Sequence, residues 1–306
     1  MTEAGAASPP LLSPDVAAGA VVHQRLSLQV AELHHREHQV RLGDTQEGVH
    51  RARIASRRLR SALATFGSLL DTEVAASLRG ELRWLSRVLG DARDPQVSWE
   101  RLGELLEAEP ADEVSGPVQQ RLDTTYAARI AAGEAQLAHA LASDRHLALL
   151  GRLDGLVADP PWSPLAEQPA ADVLRGLLAR DWHRLEGRMV AAADADDGAE
   201  ALHDARKAAK RLRYGAETLR PAWEEDARRL AAAARDLSDH LGERQDLVLV
   251  RTDLAAMADA AEGAGEPSRT WGALLGRADE RRRHLDLVLG DVWRRTAQPE
   301  LRDWLQ

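Results

Sequence analysis

The chain has 306 residues, no cysteine, and 40 basic against 49 acidic residues, a formal net charge of −9. That length can bury a core in one large domain or two small ones, and the absence of cysteine excludes disulfides, thiolate metal sites and a cysteine nucleophile. No run of about 18 apolar residues occurs, so no membrane-spanning helix is expected.

Residues 1–14 lack the basic start and long apolar core of a secretory signal. Their Ala, Ser, Gly and Pro content reads as a disordered tail, and the expected location is cytoplasmic. Ala and Leu dominate the rest and favour helix over sheet. Amphipathic periodicity predicts helices over 15–42, 46–70, 72–90, 95–108, 116–142 and 144–157. A stretch with four prolines in eleven residues, 159–169, reads as a linker. Further helices are predicted over 168–193, 199–219, 221–241, 246–262, 267–289 and 291–305. Gly90 and Gly242 read as helix stops. Asp94 before Pro95 reads as an N-cap followed by a first-turn proline, and Asp246 as the cap of the equivalent helix. No segment shows sustained strand alternation, so the fold class is all-α.

The most informative feature is an internal repeat. His50-Arg-Ala-Arg-Ile-Ala-Ser-Arg-Arg-Leu-Arg60 matches His203-Asp-Ala-Arg-Lys-Ala-Ala-Lys-Arg-Leu-Arg213 at an offset of 153. Leu85-Ser-Arg-Val-Leu-Gly-Asp-Ala-Arg-Asp94 matches Leu237-Ser-Asp-His-Leu-Gly-Glu-Arg-Gln-Asp246 at 152, and a weaker match joins Pro117 to Pro267 at 150. Three matches in one order at nearly one offset argue for two homologous halves, 15–158 and 170–306, that together make one domain.

On a helical wheel His50, Arg53, Arg57 and Arg60 fall on one stripe, opposite an apolar face of Ala52, Leu59, Leu63 and Phe66. His203, Arg206, Lys210 and Arg213 repeat the stripe opposite Ala205, Leu212, Ala216 and Leu219, with Lys207 at its edge. Arg58 and Arg211 lie off the stripe. The cations at i, i+3, i+7 and i+10 span about 15 Å of helix axis and repel one another. Glu47 is the nearest local acid to the first stripe. One such helix reads as a solvated face, or as one paired with acids elsewhere in the chain. Its recurrence in both halves favours an extended polyanion, since guanidinium groups suit phosphate.

The pattern His-x-x-Arg-x-x-x-Arg-Arg-Leu-Arg at 50–60, its recurrence with Lys210 at 203–213, and Leu-Gly-Asp-Ala-Arg-Asp at 89–94 resemble the CHAD domain, the conserved-histidine α-helical domain. At 241–246 the Gly, the acid and the Asp are kept, with Gln245 in place of Arg. The resemblance covers roughly residue 15 to the end. It implies two helical bundles about a pseudo-twofold axis with a basic central groove or pore. It also implies binding of inorganic polyphosphate without catalysis, and association with polyphosphate granules. Many relatives follow a triphosphatase (CYTH) domain in one chain. Since only about 14 residues precede the first predicted helix, a stand-alone member is expected. The resemblance implies contacts from His50, Arg53, Arg57, Arg58, Arg60, His203, Arg206, Lys210, Arg211 and Arg213, and the wheel adds Lys207 to the expected contact set while placing Arg58 and Arg211 off its centre. Arg58 and Arg211 belong to the motif but suit structural pairing, with Asp94 and Asp246 as candidate partners. Arg25, Arg36, Arg180 and Arg184, on the preceding helices, are secondary candidates.

Other chemistries fit less well. His34 and His38 have metal-capable spacing, yet no third and fourth ligand stands nearby, and no cofactor or metal is expected. Ser, His and Asp are too scattered for a triad, and no carboxylate cluster for Mg²⁺ accompanies the stripe. A metal-dependent phosphatase or phosphotransferase is therefore the weaker alternative, and the chain is expected not to be an enzyme. A nucleic-acid or other polyanion-binding role is the second alternative. It lacks an aromatic stripe for base stacking, since Trp84, Trp99, Trp182, Trp223, Trp271 and Trp293 mostly sit on apolar faces. Oligomeric state is not readable.

Overall fold

The structure, a computed structural model, describes residues 11–43, 45–194 and 198–306. Among these, nine α-helices occur and no strand: α1 (Ala18–Arg41), α2 (Thr45–Thr65), α3 (Thr72–Glu107), α4 (Val118–Leu141), α5 (Asp144–Ala158), α6 (Ala170–Ala193), α7 (Ala199–Leu219), α8 (Glu224–Gly263) and α9 (Arg269–Thr296). The all-α expectation holds. Of the expected disordered tail, residues 1–10 lie outside the described residues. Leu12 donates its amide to the Pro221 carbonyl at 2.7 Å, and Pro14 accepts from Ala171 at 2.9 Å.

The helices run in the order α1–α4 and again α6–α9, each packing on its predecessor, and α2 packs on α7. Two apolar cores result. One gathers α1, α2, α6, α7 and the N-terminal parts of α3 and α8, with Leu26, Leu59, Leu82, Leu178, Leu212 and Leu237 all buried. The other is built from the far ends of α3 and α8 with α4 and α9, through Leu102, Leu122, Tyr126, Leu254 and Trp271. Each core therefore draws residues from both repeats. The proline-rich segment packs too: Trp162 lies against the first core, and Ser163 donates its amide to Leu69 at 2.8 Å.

The predicted breaks near residues 90 and 242 do not occur. α3 has 36 residues and α8 has 40, lengths of roughly 54 and 60 Å at 1.5 Å per residue. Gly90 and Gly242 lie inside these helices, and Asp94 and Asp246 cap nothing. Buried residues anchor each helix on both sides of its site, Leu85 and Leu89 then Leu102 on α3 and Leu237 and Leu241 then Leu247 and Val250 on α8, which outweighs a glycine's lower helix propensity. Pro95, inside α3, removes one amide, the donor to the Asp91 carbonyl. Against that carbonyl α4 presents Gly133, where a Cβ would lie only 2.5 Å from the oxygen. The cap of α3 is instead Asp71, whose carboxylate accepts from Glu73 and Val74 amides at 3.0 and 2.9 Å. The predicted boundary at 289–291 is also absent. α9 continues to Thr296, burying Leu285 and Val292, and short 3₁₀ turns at 299–301 and 303–305 finish the chain.

Candidate functional site

Helices α2 and α7 place their apolar residues in the first core. Ala52, Ala55, Leu59, Ala205, Ala209 and Leu212 are all fully buried there. The opposite faces then carry the two cationic stripes, and the α2–α7 contact brings them together. Arg57 feels the charges of Arg53 and Arg206, and Lys210 feels Arg206, Arg57 and Arg53. Burial, reinforced by those three arginines against the weaker pull of Asp246, pushes the Lys210 ammonium down to about 7. Burial, with Arg53 and Arg206, likewise lowers Arg57. Among the described residues Arg57, Arg206 and Lys210 make no ion pair, and the buried Nε of Arg57, Nε of Arg206 and Nδ1 of His203 meet no hydrogen-bond partner. Such a donor costs about 1–3 kcal/mol each while it stays unsatisfied.

The two glycines find their use here. A Cβ at Gly90 would lie 3.5 Å from the Arg53 guanidinium carbon, and one at Gly242 only 3.2 Å from Nε of Arg206. Each bare backbone leaves room for the arginine of the neighbouring helix. Beyond that match the halves differ. Arg53 is held by Asp94, with the second of its two contacts, Nη2 to Oδ2, at 3.3 Å. Asp246 instead pairs with Arg101 of α3 at 2.9 Å, so Arg206 is left unpaired.

The remaining candidates divide. His50 is exposed and lines a cavity of about 640 Å³ with Arg57, Arg58, Arg213 and Tyr214. Desolvation, with Arg93, Arg57 and Arg51 set against Glu47, lowers its imidazole. Desolvation, then Lys207 and Arg206, lowers His203. Arg60 is lowered by burial and by Arg83, Arg57 and Arg79. Lys207 is tied to Asp204 at 2.5 Å, and Arg213 to Glu217 at 3.0 Å. Glu47 pairs with Arg51 at 2.5 Å and, on the stripe, acts on His50.

Arg58 and Arg211 are paired, but not with Asp94 and Asp246. Arg58 pairs with Glu217 at 3.1 Å and Arg211 with Asp181 at 2.7 Å. Those acids lie on α7 and α6, beneath the stripes. Arg25 joins Glu217 at 2.8 Å and Arg184 joins Asp181 at 3.1 Å. Arg36 is engaged within α1 by Glu32 at 2.7 Å, and Arg180 is exposed. The histidine-rich run of α1 serves helix packing. His34 meets Asp154 at 2.7 Å, and Glu37 meets the fully buried His146 at 2.9 Å.

Sequence reasoning missed Arg79, Arg83 and Arg87 of α3. Arg79 and Arg83 stand close enough to act on Arg60, and Arg79 on Arg211. Their i, i+4, i+8 spacing on a helix already predicted was the available signal.

The family model of the CHAD domain matches residues 24–256. The chain is a member of the CHAD family. Two Mycobacterium tuberculosis proteins described as uncharacterized, MT2285 of strain CDC 1551 and Rv2226 of strain H37Rv, are each 34% identical to it over 255 residues. That match covers 83% of this chain and 48% of theirs, so the chain spans about half the length of these curated relatives. The CHAD domain from the plant Ricinus communis superposes with a TM-score of 0.69 at 25% identity, over 94% of this chain and 97% of that one. PptA from Streptomyces chartreusis shares the fold, with a TM-score of 0.76 at 21% identity, over 91% of this chain and 99% of its own.

Proposed function

We propose that this CHAD protein binds inorganic polyphosphate without catalysis, across the facing stripes of α2 and α7. The observation that carries the reading is the convergence of Arg57, Arg206 and Lys210 without an acidic partner among the described residues, with two buried guanidinium Nε atoms unsatisfied. A polyanion would supply the missing acceptors and relieve the mutual repulsion. Arg53 and Arg60 of α2 and the two histidines border this centre, while Lys207 and Arg213, already paired, serve at its edge. Association with polyphosphate granules follows as the cellular expectation.

A phosphodiester ligand is less well served. The aromatic ring beside the cluster, Tyr214, is buried beneath Arg58 and Arg213, whose guanidinium carbons lie 6.0 and 5.3 Å from its centroid, so it offers no free face for a base.

The test is a titration of long-chain polyphosphate at two salt concentrations. Affinity should fall by about 0.7 log units per log unit of salt for each charge neutralised. The triple variant Arg57→Ala, Arg206→Ala, Lys210→Ala should lose most of the binding. Unchanged affinity in that variant, or metal-dependent hydrolysis of the polymer by the wild type, would overturn the reading.

A further inference from the structure

The surface beside the central cluster is basic on one flank and mixed in charge on the other. On α3, Arg79, Arg83, Gly90, Asp94 and Arg87 fall on one stripe at 100° per residue. Arg83 and Arg87 are exposed and make no ion pair among the described residues, and the buried Nε of Arg79 lacks a partner. The stripe adjoins α2, because Arg79 and Arg83 act electrostatically on Arg60. Moved by the repeat offset of 152, the same positions on α8 are Ala231, Arg235, Asp239, Gly242 and Asp246. Three arginines and one acid on α3 thus answer to one arginine and two acids on α8. Asp236 and Glu32 each line a cavity on that side that Arg235 also lines, so acids there alternate with arginines such as Arg58.

We infer that a long polyphosphate chain leaves the central cluster over one flank only, crossing α2 onto the α3 arginines, and that Arg79, Arg83 and Arg87 form an extension site for the polyanion. This rests on the polyphosphate reading above and gives it a direction. The extension spans about 12 Å of helix axis, eight residues at 1.5 Å each, and its arginines make no ion pair among the described residues. On the α8 flank the polyanion would meet Asp239, which is 62% exposed, and like charge would repel it. A chain too short to reach past Arg60 uses the centre alone.

The variant pair Arg83→Ala, Arg87→Ala tests this, since both side chains are exposed and their loss leaves the core intact. Long-chain polyphosphate and tripolyphosphate are titrated against the full chain over a salt series. For the long chain the log–log salt slope should shrink by about 1.4, and affinity at low salt should fall roughly tenfold, as expected for two lost phosphate contacts on a single strand. Tripolyphosphate binding should stay within twofold of wild type. If long-chain binding is unchanged in this variant while Arg57→Ala, Arg206→Ala still weakens it, the α3 extension is wrong and the central site stands. Equal losses for both polymers would also overturn the extension, because the arginines would then belong to the centre. If the wild type binds neither polymer, the central reading fails and the extension fails with it.

Discussion

Arg53 and Arg206 occupy equivalent places in the repeat, each passing over a glycine of the following long helix, yet only Arg53 has an acid in hand. The same divergence runs outward, from the arginine-lined flank of α3 to the mixed flank of α8. A glycine stands in both halves, but only at Gly242 would a Cβ crowd the guanidinium, whereas exposed charges change at little cost to stability, usually within about 0.5 kcal/mol. The helix order recurs in the two halves, while the charges on their outer faces differ.

The deepest difference lies beneath the stripes. Arg58 and Arg211 are equivalent by sequence but rest on different acids. Glu217 of α7 carries Arg25, Arg58 and Arg213, while Asp181 of α6 carries Arg184 and Arg211 and accepts from the Thr65 hydroxyl. Burial opposes ionisation of Glu217, but the three arginines outweigh it and hold its carboxyl below the usual range. Glu217→Gln and Asp181→Asn should each destabilise the fold by about 3 kcal/mol in chemical denaturation, the low end for breaking a buried pair. If one is near neutral, the two acids are not interchangeable supports.

Next in size, Arg206→Ala should weaken polyphosphate binding by about 2 kcal/mol, the range of a charge-assisted hydrogen bond. Arg53→Ala should cost less, because Asp94 already competes for that guanidinium. Equal losses by calorimetry would erase the distinction between the halves.

The pair Arg57 and Lys210 sharpens the comparison through pH. The free Lys210 ammonium sits near about 7, below its ordinary range, and bound polyanion favours the protonated form. Binding therefore takes up a proton. Affinity should be greatest below pH about 7 and fall as pH rises through it, by at most tenfold per unit. Lys210→Arg restores the residue of the first half and should flatten the profile above neutrality. A profile unchanged by that substitution would assign the proton elsewhere. The smallest effects concern the two glycines. Gly90→Ala should stabilise the fold by up to about 1 kcal/mol through helix propensity and leave binding alone, its new Cβ meeting only ordinary contact distances. Gly242→Ala should displace the Arg206 guanidinium and weaken binding a few-fold.

Much of this was legible in the sequence. The stripes, their opposition to the core face and most helix limits followed from period and repeat, since Leu59 and Leu212 are buried where the wheel put them. The continuity of α3 and α8 was not, because Gly and Pro read locally as stops, while the apolar contacts that carry the helix past Gly90 and Pro95 come from other helices. The partners of Arg58 and Arg211 were illegible for a related reason. Glu217 lies on α7 and Asp181 on α6, so the crossing of α2 over α7 brings Arg58 to the one and the packing of α6 on α7 brings Arg211 to the other. Arg79, Arg83 and Arg87 were hidden by composition, since 38 of the 40 basic residues are arginine and no single arginine stands out.

That same composition makes the amine at the centre chemically distinct. Lys207 and Lys210 are the only lysines of the chain. Lys207 is exposed and salt-bridged to Asp204, whereas burial and the neighbouring arginines favour the neutral, nucleophilic amine at Lys210. Acylating reagents small enough to enter the cluster should therefore modify Lys210 readily, and an occupied cluster should shield it. Acylation localised to Lys210 rather than Lys207 within their shared peptide thus reports ligand occupancy of the site.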